Sequence, residues 1–388
     1  MKNTRLDSPT VSAGIVASAY SFFLLLRFVT HTGDPSAFVL AGEQFSHPGL
    51  VAKNLRVLPN TPGYDGQFYY RLALNPFTTK RTEFGVTLDN PPYRHQRIVY
   101  PFIVWVVSLG GRADLVPAMM IVTNYVALCA MGWIGGLYAR SMGQHALWGT
   151  LFPFYAGFLL TLSFDLTEIV AVCFLLTGLY FTRRAHLGYA TLFLTLAVLT
   201  RETTLIVAGS AFLLWLAGKT KGGPHGDGSL TWPLFLIPGV FYGMWQATLL
   251  YHWGQIPLFS AQLLGLPLVG FLRLFADSAA LTTRLQVRIL IELIFILALT
   301  LATSRGLSSS RASAHEKLSW ILYALMVSLL GSTIWVREED WSFMRALSEF
   351  YVLGMVIMIG SQSPFKVPIA GGALVLWLVV FRSRVLGV

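Results

Sequence analysis

"LVPAMMIVTNYVALCAMGWIGGLYA", Leu115–Ala139, carries no charged side chain and stops against Arg140. As a helix it matches the bilayer's hydrocarbon core, which takes about 20 residues to cross. Two other runs share its character. "VSAGIVASAYSFFLLLRFVT", 11–30, has Arg27 as its one charge. "LQVRILIELIFILALTLA", 285–302, has Arg288 and Glu292, whose spacing of four makes them a compensating pair on one helical face. The 388 residues are 55% hydrophobic and only 12% charged, with mean hydropathy +0.62. A soluble domain carries about 25% charged residues. The sequence therefore specifies an all-α polytopic membrane protein.

Apolar runs predict about eleven transmembrane helices, over roughly 11–30, 113–139, 146–162, 166–182, 187–200, 203–218, 231–252, 285–303, 318–335, 344–361 and 367–381. Residues 1–388 then form a single transmembrane helical domain. A long first extracytoplasmic loop, 31–97, follows the first span and is expected to bear short interface helices. Two apolar pieces, 98–110 and 256–272, are short or broken by Gly and Pro. They read as in-plane or re-entrant helices, which need protein or an interface to satisfy their backbone. The start, "MKNTRLDSPT" before an apolar run without a small-x-small cleavage site, reads as an uncleaved first helix.

Net charge +10 raises nucleic acid as a partner. The cations, however, sit in short loops between apolar runs, as the positive-inside rule expects, and no basic stripe with interleaved aromatics occurs. With Lys2 and Arg5 in the cytoplasm, alternation puts Arg140, Arg183, Arg184, Lys219, Lys221, Arg305, Arg311, Lys317 and Lys366 inside. Arg382 and Arg384 fall outside, against the rule, which calls the last span into question. The outer face receives loop 31–97, "SFDLTE" (163–168), "TRETT" (200–204), "YHWGQ" (251–255) and "REEDW" (337–341). This places a site on the extracytoplasmic face of the cell (inner) membrane. Cys129 and Cys173 lie inside apolar runs and read as small core residues.

Each polar cluster admits a structural and a functional reading. Asp65 in "GYDGQ", flanked by Tyr64 and Gln67, is a good helix N-cap before "GQFYYRLAL". It also suits a general base, a carboxylate fixed by its backbone where a hydroxyl can reach it. Asp165 and Glu168, three apart at a span's start, share a face and read as a cap favoured by the helix dipole or as a site edge. Arg201 and Glu202 read as a turn with an adjacent ion pair. Alternatively, Arg201 grips a phosphate, for which a planar bidentate guanidinium is suited. Arg94, His95 and Arg97 read as snorkelling groups or as a lipid-phosphate clamp. "REEDWSFMRALSEF", 337–350, brings Arg345 to the next span, with Trp335 and Trp341 as interface anchors. No nucleotide-binding glycine loop and no Cys/His or H-E-x-x-H metal spacing is present.

"GYDGQFYYRLALNPF" (63–77), "YRHQRIVYP" (93–101), "SFDLTEIVAVCFLLTGLYFTRR" (163–184) and "LAVLTRETTLIV" (196–207) together resemble the GT-C superfamily of polytopic glycosyltransferases, in particular its bacterial members. Past residue 230 only "WSFMRALSEF" echoes it. The resemblance implies an enzyme that takes sugar from a polyprenyl-phosphate donor and passes it to a glycan or lipid-linked acceptor at the membrane lipid surface, with no nucleic acid involved. The family's catalytic acid maps onto Asp65. Its donor-phosphate contacts map onto Arg201, Arg94, Arg97 or Arg345. Relatives pair two acids in this loop, whereas here Asp65 is alone in its motif and the next candidate, Asp89, is distant. No cofactor is called for, and the divalent metal such a pair would hold has no support in the sequence. One base suffices because a sugar phosphate already carries its leaving group, so inverting single displacement is expected. The alternative class is a flippase or transporter of a lipid-linked sugar, which would place charges near the midplane and in symmetric halves.

Overall fold

A computed structural model describes residues 6–30, 33–220, 231–257, 263–278, 283–335 and 342–386. Helices dominate, and among the described residues five are long and apolar enough to cross a membrane: Pro9–Thr30, Val116–Ser141, Pro233–Trp253, Val287–Gly306 and Lys366–Leu386. This is an all-α architecture of membrane-protein character. The expected calls at 337–341 lie outside the described residues.

The first helix, α1 (Pro9–Thr30), leads into loop 31–97. The loop holds two short helices, α2 (Gly66–Leu74) and α3 (Pro91–His95), and two ladders of two residues each. Ala41–Gly42 pairs with Val57–Leu58 in parallel, and Thr82–Glu83 with Val86–Thr87 antiparallel. Next, α4 (Val99–Val107) has nine residues, about 14 Å of helix and too short to cross a bilayer. The long run that opened the analysis becomes α5 (Val116–Ser141).

Glycines on α5 let its neighbours close in, as small residues do between membrane helices. Gly132 faces Val16 and Ala13 of α1, Gly136 faces Pro9, and Gly135 meets the backbone of Gly149. The expected span 146–162 is not one helix. A 3₁₀ stretch covers Ala146–Leu151, and α6 spans Ala156–Ser163. Between them Pro153 has no N–H to continue the ladder. The carbonyls freed by the break are capped from afar: Tyr20 donates to Pro153 O (2.7 Å) and Tyr351 to Leu151 O (2.8 Å). Non-helical backbone is tolerated at that depth because it is buried and bonded.

Then come α7 (Glu168–Arg183), α8 (Leu187–Thr200), α9 (Leu205–Thr220) and α10 (Pro233–Trp253), followed by α11 (Val269–Ser278), α12 (Thr283–Gly306) and α13 (Ala314–Ser328). Ser313 and Glu316 open α13 with a reciprocal capping box. The run expected over 318–335 breaks after Ser328 and resumes as α14 (Ser332–Trp335). Trp335 is buried against Phe271 and Phe343, not an interface anchor. Finally, α15 (Ser342–Ala346), α16 (Ser348–Gly360) and α17 (Lys366–Leu386) complete the chain. Every residue of α16 is buried, so this helix is the core around which the others pack.

Two ends of the bundle are chemically distinct. At one, Arg183 donates to Arg311 O, Arg311 to Met142 O, and Lys366 to Ile359 O. Asp7 accepts from Ala146 N there. The ends of α5, α7 and α16 and the starts of α1, α13 and α17 therefore share this basic end. The other end gathers loop 31–97, the starts of α7, α9 and α16, and the end of α17, whose Arg384 carbonyl accepts from Arg27 (2.8 Å). The last helix is real, and its cations do lie opposite the basic end. Arg288 and Glu292 face each other at 4.0 Å on α12.

A side chain at Gly135 has no room against Gly149 and Phe152. We expect Gly135→Val to cost about 1–3 kcal/mol or more through overpacking, read as a lower thermal unfolding temperature in detergent, while Gly188→Ala, in open space, leaves it unchanged.

Candidate functional site

At the end opposite the basic loops lies a cleft of about 190 Å³. Its charged side is formed by Asp65, Arg94, Arg97, Glu168, Arg201, Glu202 and Arg345. Its apolar side includes Leu263, Met326, Leu330 and Ile334. Seven of the residues singled out in the sequence thus converge, from loop 31–97, the α7 start, the α8–α9 joint and α15.

Asp65 sits at the N-cap position of α2, but its side chain makes no capping bond. The capping expectation fails. The carboxylate turns into the cleft, where Arg94 Nη2 holds one oxygen at 3.0 Å and Arg345 Nη2 approaches the other at 4.0 Å. Burial opposes its charge, but the guanidiniums of Arg94 and Arg345 outweigh that and hold its pKa at about 2. Gly66 is needed next to it, because a Cβ there would collide with the Phe164 and Val39 carbonyls.

Asp89, distant in sequence, is close in space. Arg94 forks onto it, Nε to Oδ1 at 2.9 Å and Nη2 to Oδ2 at 2.7 Å. Arg94 therefore bridges the two acids of the loop, with its guanidinium over the Phe68 ring (4.5 Å). Fork geometry and stacking together fix its position. No His/Cys/Asp/Glu group suited to a metal ion occurs among the described residues.

Arg201 and Glu202 are neither solvated nor paired with each other. Glu202 pairs with Arg97 (2.6 Å), which also donates to the hydroxyls of Tyr93 (2.8 Å) and Tyr69 (3.1 Å). Arg201 reaches the buried Glu349 at 3.3 Å and donates to the Arg345 carbonyl at 3.2 Å. Glu349 also accepts from Thr203 Oγ1 (2.8 Å). Arg345 pairs with Glu168 (3.1 Å) and covers the Tyr64 ring at 5.0 Å. The Nε atoms of Arg201 and Arg345 are buried with no hydrogen-bond partner among the described residues.

Four expected site residues do not line the cleft: Gln67, His95, Asp165 and Tyr64. Gln67 is structural: it accepts from Gly42 N (3.1 Å) and Ser46 Oγ (2.9 Å) and donates to Pro62 O (2.8 Å). His95 turns from the phosphate-clamp position to the Trp253 ring, 5.5 Å away, with Nδ1 3.0 Å from Pro91 O. Burial pushes its pKa down to about 4 despite that bond, so it is neutral at pH 7 and supplies no charge. Asp165 does not share a helical face with Glu168. It precedes α7 with left-handed backbone (φ 49°), a conformation Asp tolerates, and is fully buried. Tyr64 stacks on Phe164 (4.5 Å) and serves as the platform under Arg345.

Glu349 was missed, and so was the partnership of Asp89. The signal for Glu349 was present: an acid at the head of the apolar run "ALSEFYVLGMVIMIG" has to be paired, and the one cation at helical spacing, Arg345, is on a separate helix and engaged by Glu168.

No family model matches the chain, and no curated protein matches its sequence.

Removing one member of a buried pair strands the other charge, at a cost of about 3–5 kcal/mol. Glu349→Ala is therefore expected to lower the unfolding temperature sharply by isolating Arg201. Arg112→Ala, whose partner Asp114 is exposed, is expected to change it negligibly.

Proposed function

We propose that this chain is an integral membrane glycosyltransferase of GT-C type, with about eleven spans. It moves a sugar from a polyprenyl-phosphate-linked donor to an extracytoplasmic acceptor. The observation that carries this reading is the convergence of Asp65 with Arg94, Arg97, Arg201 and Arg345 in one cleft that has an apolar side. A lipid-linked sugar phosphate combines the same two chemistries, an anion next to hydrocarbon. Concentration of these charges at one end of the bundle favours chemistry at a membrane surface over the transport alternative, which calls for them near the midplane.

In this reading the acceptor oxygen attacks the anomeric carbon as the bond to the phosphate oxygen breaks on the opposite face. The configuration inverts, and the bonding pair leaves with the phosphate. The donor phosphodiester carries one negative charge and the leaving monoester two. The extra charge develops beside Arg201 and Arg345, whose unpartnered Nε–H groups are fixed donors in a dry setting, where such donors are strongest. The acceptor's proton goes to Asp65. With a pKa of about 2, Asp65 is a weak base in the resting cleft. It takes the proton late, as the new bond forms and the hydroxyl becomes acidic.

General-base catalysis contributes about 10²–10⁴-fold. Asp65→Asn is therefore expected to lower the rate of polyprenyl-phosphate release from purified protein by about that factor. A near-wild-type rate rules out Asp65 as the base. Because the folded-state pKa lies below the ordinary 3.8, the ionised carboxylate stabilises the fold above that value and stops doing so as pH falls toward about 2. The stability difference between wild type and Asp65→Asn is accordingly expected at pH 7 and to fade between about pH 4 and 2 in thermal scans.

A further inference from the structure

Between α12 and α17 runs a second cavity of about 460 Å³, larger than the charged cleft and walled almost wholly by hydrocarbon. On α12 it extends from Ile291 through Ala298 to Arg305, about 21 Å at 1.5 Å per residue. That exceeds the depth of one leaflet's hydrocarbon, about half of 30 Å. On the other side it is bordered by Phe365, just before α17, and by Gly372 and Leu376 on α17. Both walls expose large apolar side chains, among them Ile291, Ile294 and Leu301 on α12. The groove therefore opens toward the lipid that such a surface requires.

The groove has one polar terminus, and it is cationic. Arg305 is exposed at the end of α12, with its guanidinium carbon 5.5 Å from the Phe365 ring centroid. This is the basic end of the bundle, where Arg183, Arg311 and Lys366 also lie. An apolar slot deep enough for one leaflet's acyl chain, closed at the interface by a cation, is complementary to an amphiphile with a hydrocarbon tail and an anionic head. We propose that this groove binds one molecule of anionic phospholipid, with an acyl chain along α12 and α17 and its phosphate against Arg305. The site lies at the opposite end from the charged cleft and stands independently of the activity proposed for that cleft.

The test is native mass spectrometry of the purified, delipidated full chain in detergent, titrated with dioleoyl phosphatidylglycerol or dioleoyl phosphatidylethanolamine. The expected result is a single retained phosphatidylglycerol, bound about fivefold more tightly than the zwitterionic lipid, as one extra charge contact gives. Arg305→Gln, at an exposed position, is expected to abolish that preference while leaving the weaker binding. Ala298→Phe, which fills the slot, is expected to abolish retention of both lipids. Equal affinity for the two lipids in wild type, or a preference that survives Arg305→Gln, overturns the proposal and marks the lipid as unspecific annular lipid. If Ala298→Phe fails to fold, the Arg305→Gln comparison alone decides.

Discussion

The guanidinium of Arg345 lies between carboxylates from two remote parts of the chain, Glu168 at 3.1 Å and Asp65 at 4.0 Å. An ion left alone in such a setting costs several kcal/mol, so each charge at this end of the bundle has to meet its opposite. The other pairs obey the same constraint. Arg97 finds Glu202 across 105 residues of sequence, and Arg201 finds Glu349 at the start of the buried helix α16. These pairings tie loop 31–97 and α16 to the α8–α9 joint, and α15 to α7. The fold at this end is thus set by charge compensation between segments, and hydrophobic burial alone would not fix their register.

Elsewhere the constraint is backbone satisfaction. The break between Leu151 and Ala156 would be untenable in hydrocarbon without the hydroxyls of Tyr20 and Tyr351 on its carbonyls. Those tyrosines come from α1 and α16, so the broken segment also locks the first helix to the central one. Close approach at Gly135, Gly136 and Gly149 makes this possible by letting the backbones meet. The same logic explains why the basic end is held through carbonyls: Arg311 and Lys366 donate to carbonyls at the ends of α5 and α16, where carbonyls lack helical partners, and Arg183 donates to the Arg311 carbonyl in the non-helical link before α13.

What was legible in the sequence follows from which forces act locally. Hydropathy and charge asymmetry are properties of contiguous residues, so the long helices and the gathering of polar clusters at one end could be read directly. The partners of individual charges could not. Asp65 had the sequence of an N-cap, and nothing near it announced that Arg94 and Arg345 would draw its side chain away. Arg201 and Glu202 are adjacent, which suggested a pair, but an extended backbone at Arg201 (φ −156°) sends the two to different partners. Asp165 and Glu168 have helical spacing, but the helix begins only at Glu168. In each case local pattern was right about chemistry and silent about direction.

The charge balance of the cleft has a consequence for how an anion could enter it. Arg94, Arg97, Arg201 and Arg345 line it with Asp65, Glu168 and Glu202, and Asp89 and Glu349, outside the lining, pair with Arg94 and Arg201, so that four cations meet five anions. With no cationic surplus, the cleft admits a phosphate only by sharing or displacing existing partners. Of the three carboxylates that line the cleft, Asp65 is the most open to displacement, since its side chain is 27% exposed while those of Glu202 and Glu168 are 9% and 3% exposed. Its low pKa depends on Arg94 and Arg345. A phosphate drawn to either cation weakens that hold and adds a negative neighbour, and both changes raise the proton affinity of Asp65. On the proposed reading, donor binding itself converts an ion-paired carboxylate into a usable base, so the residue that the cleft's cations hold ionised becomes reactive only when the donor occupies it.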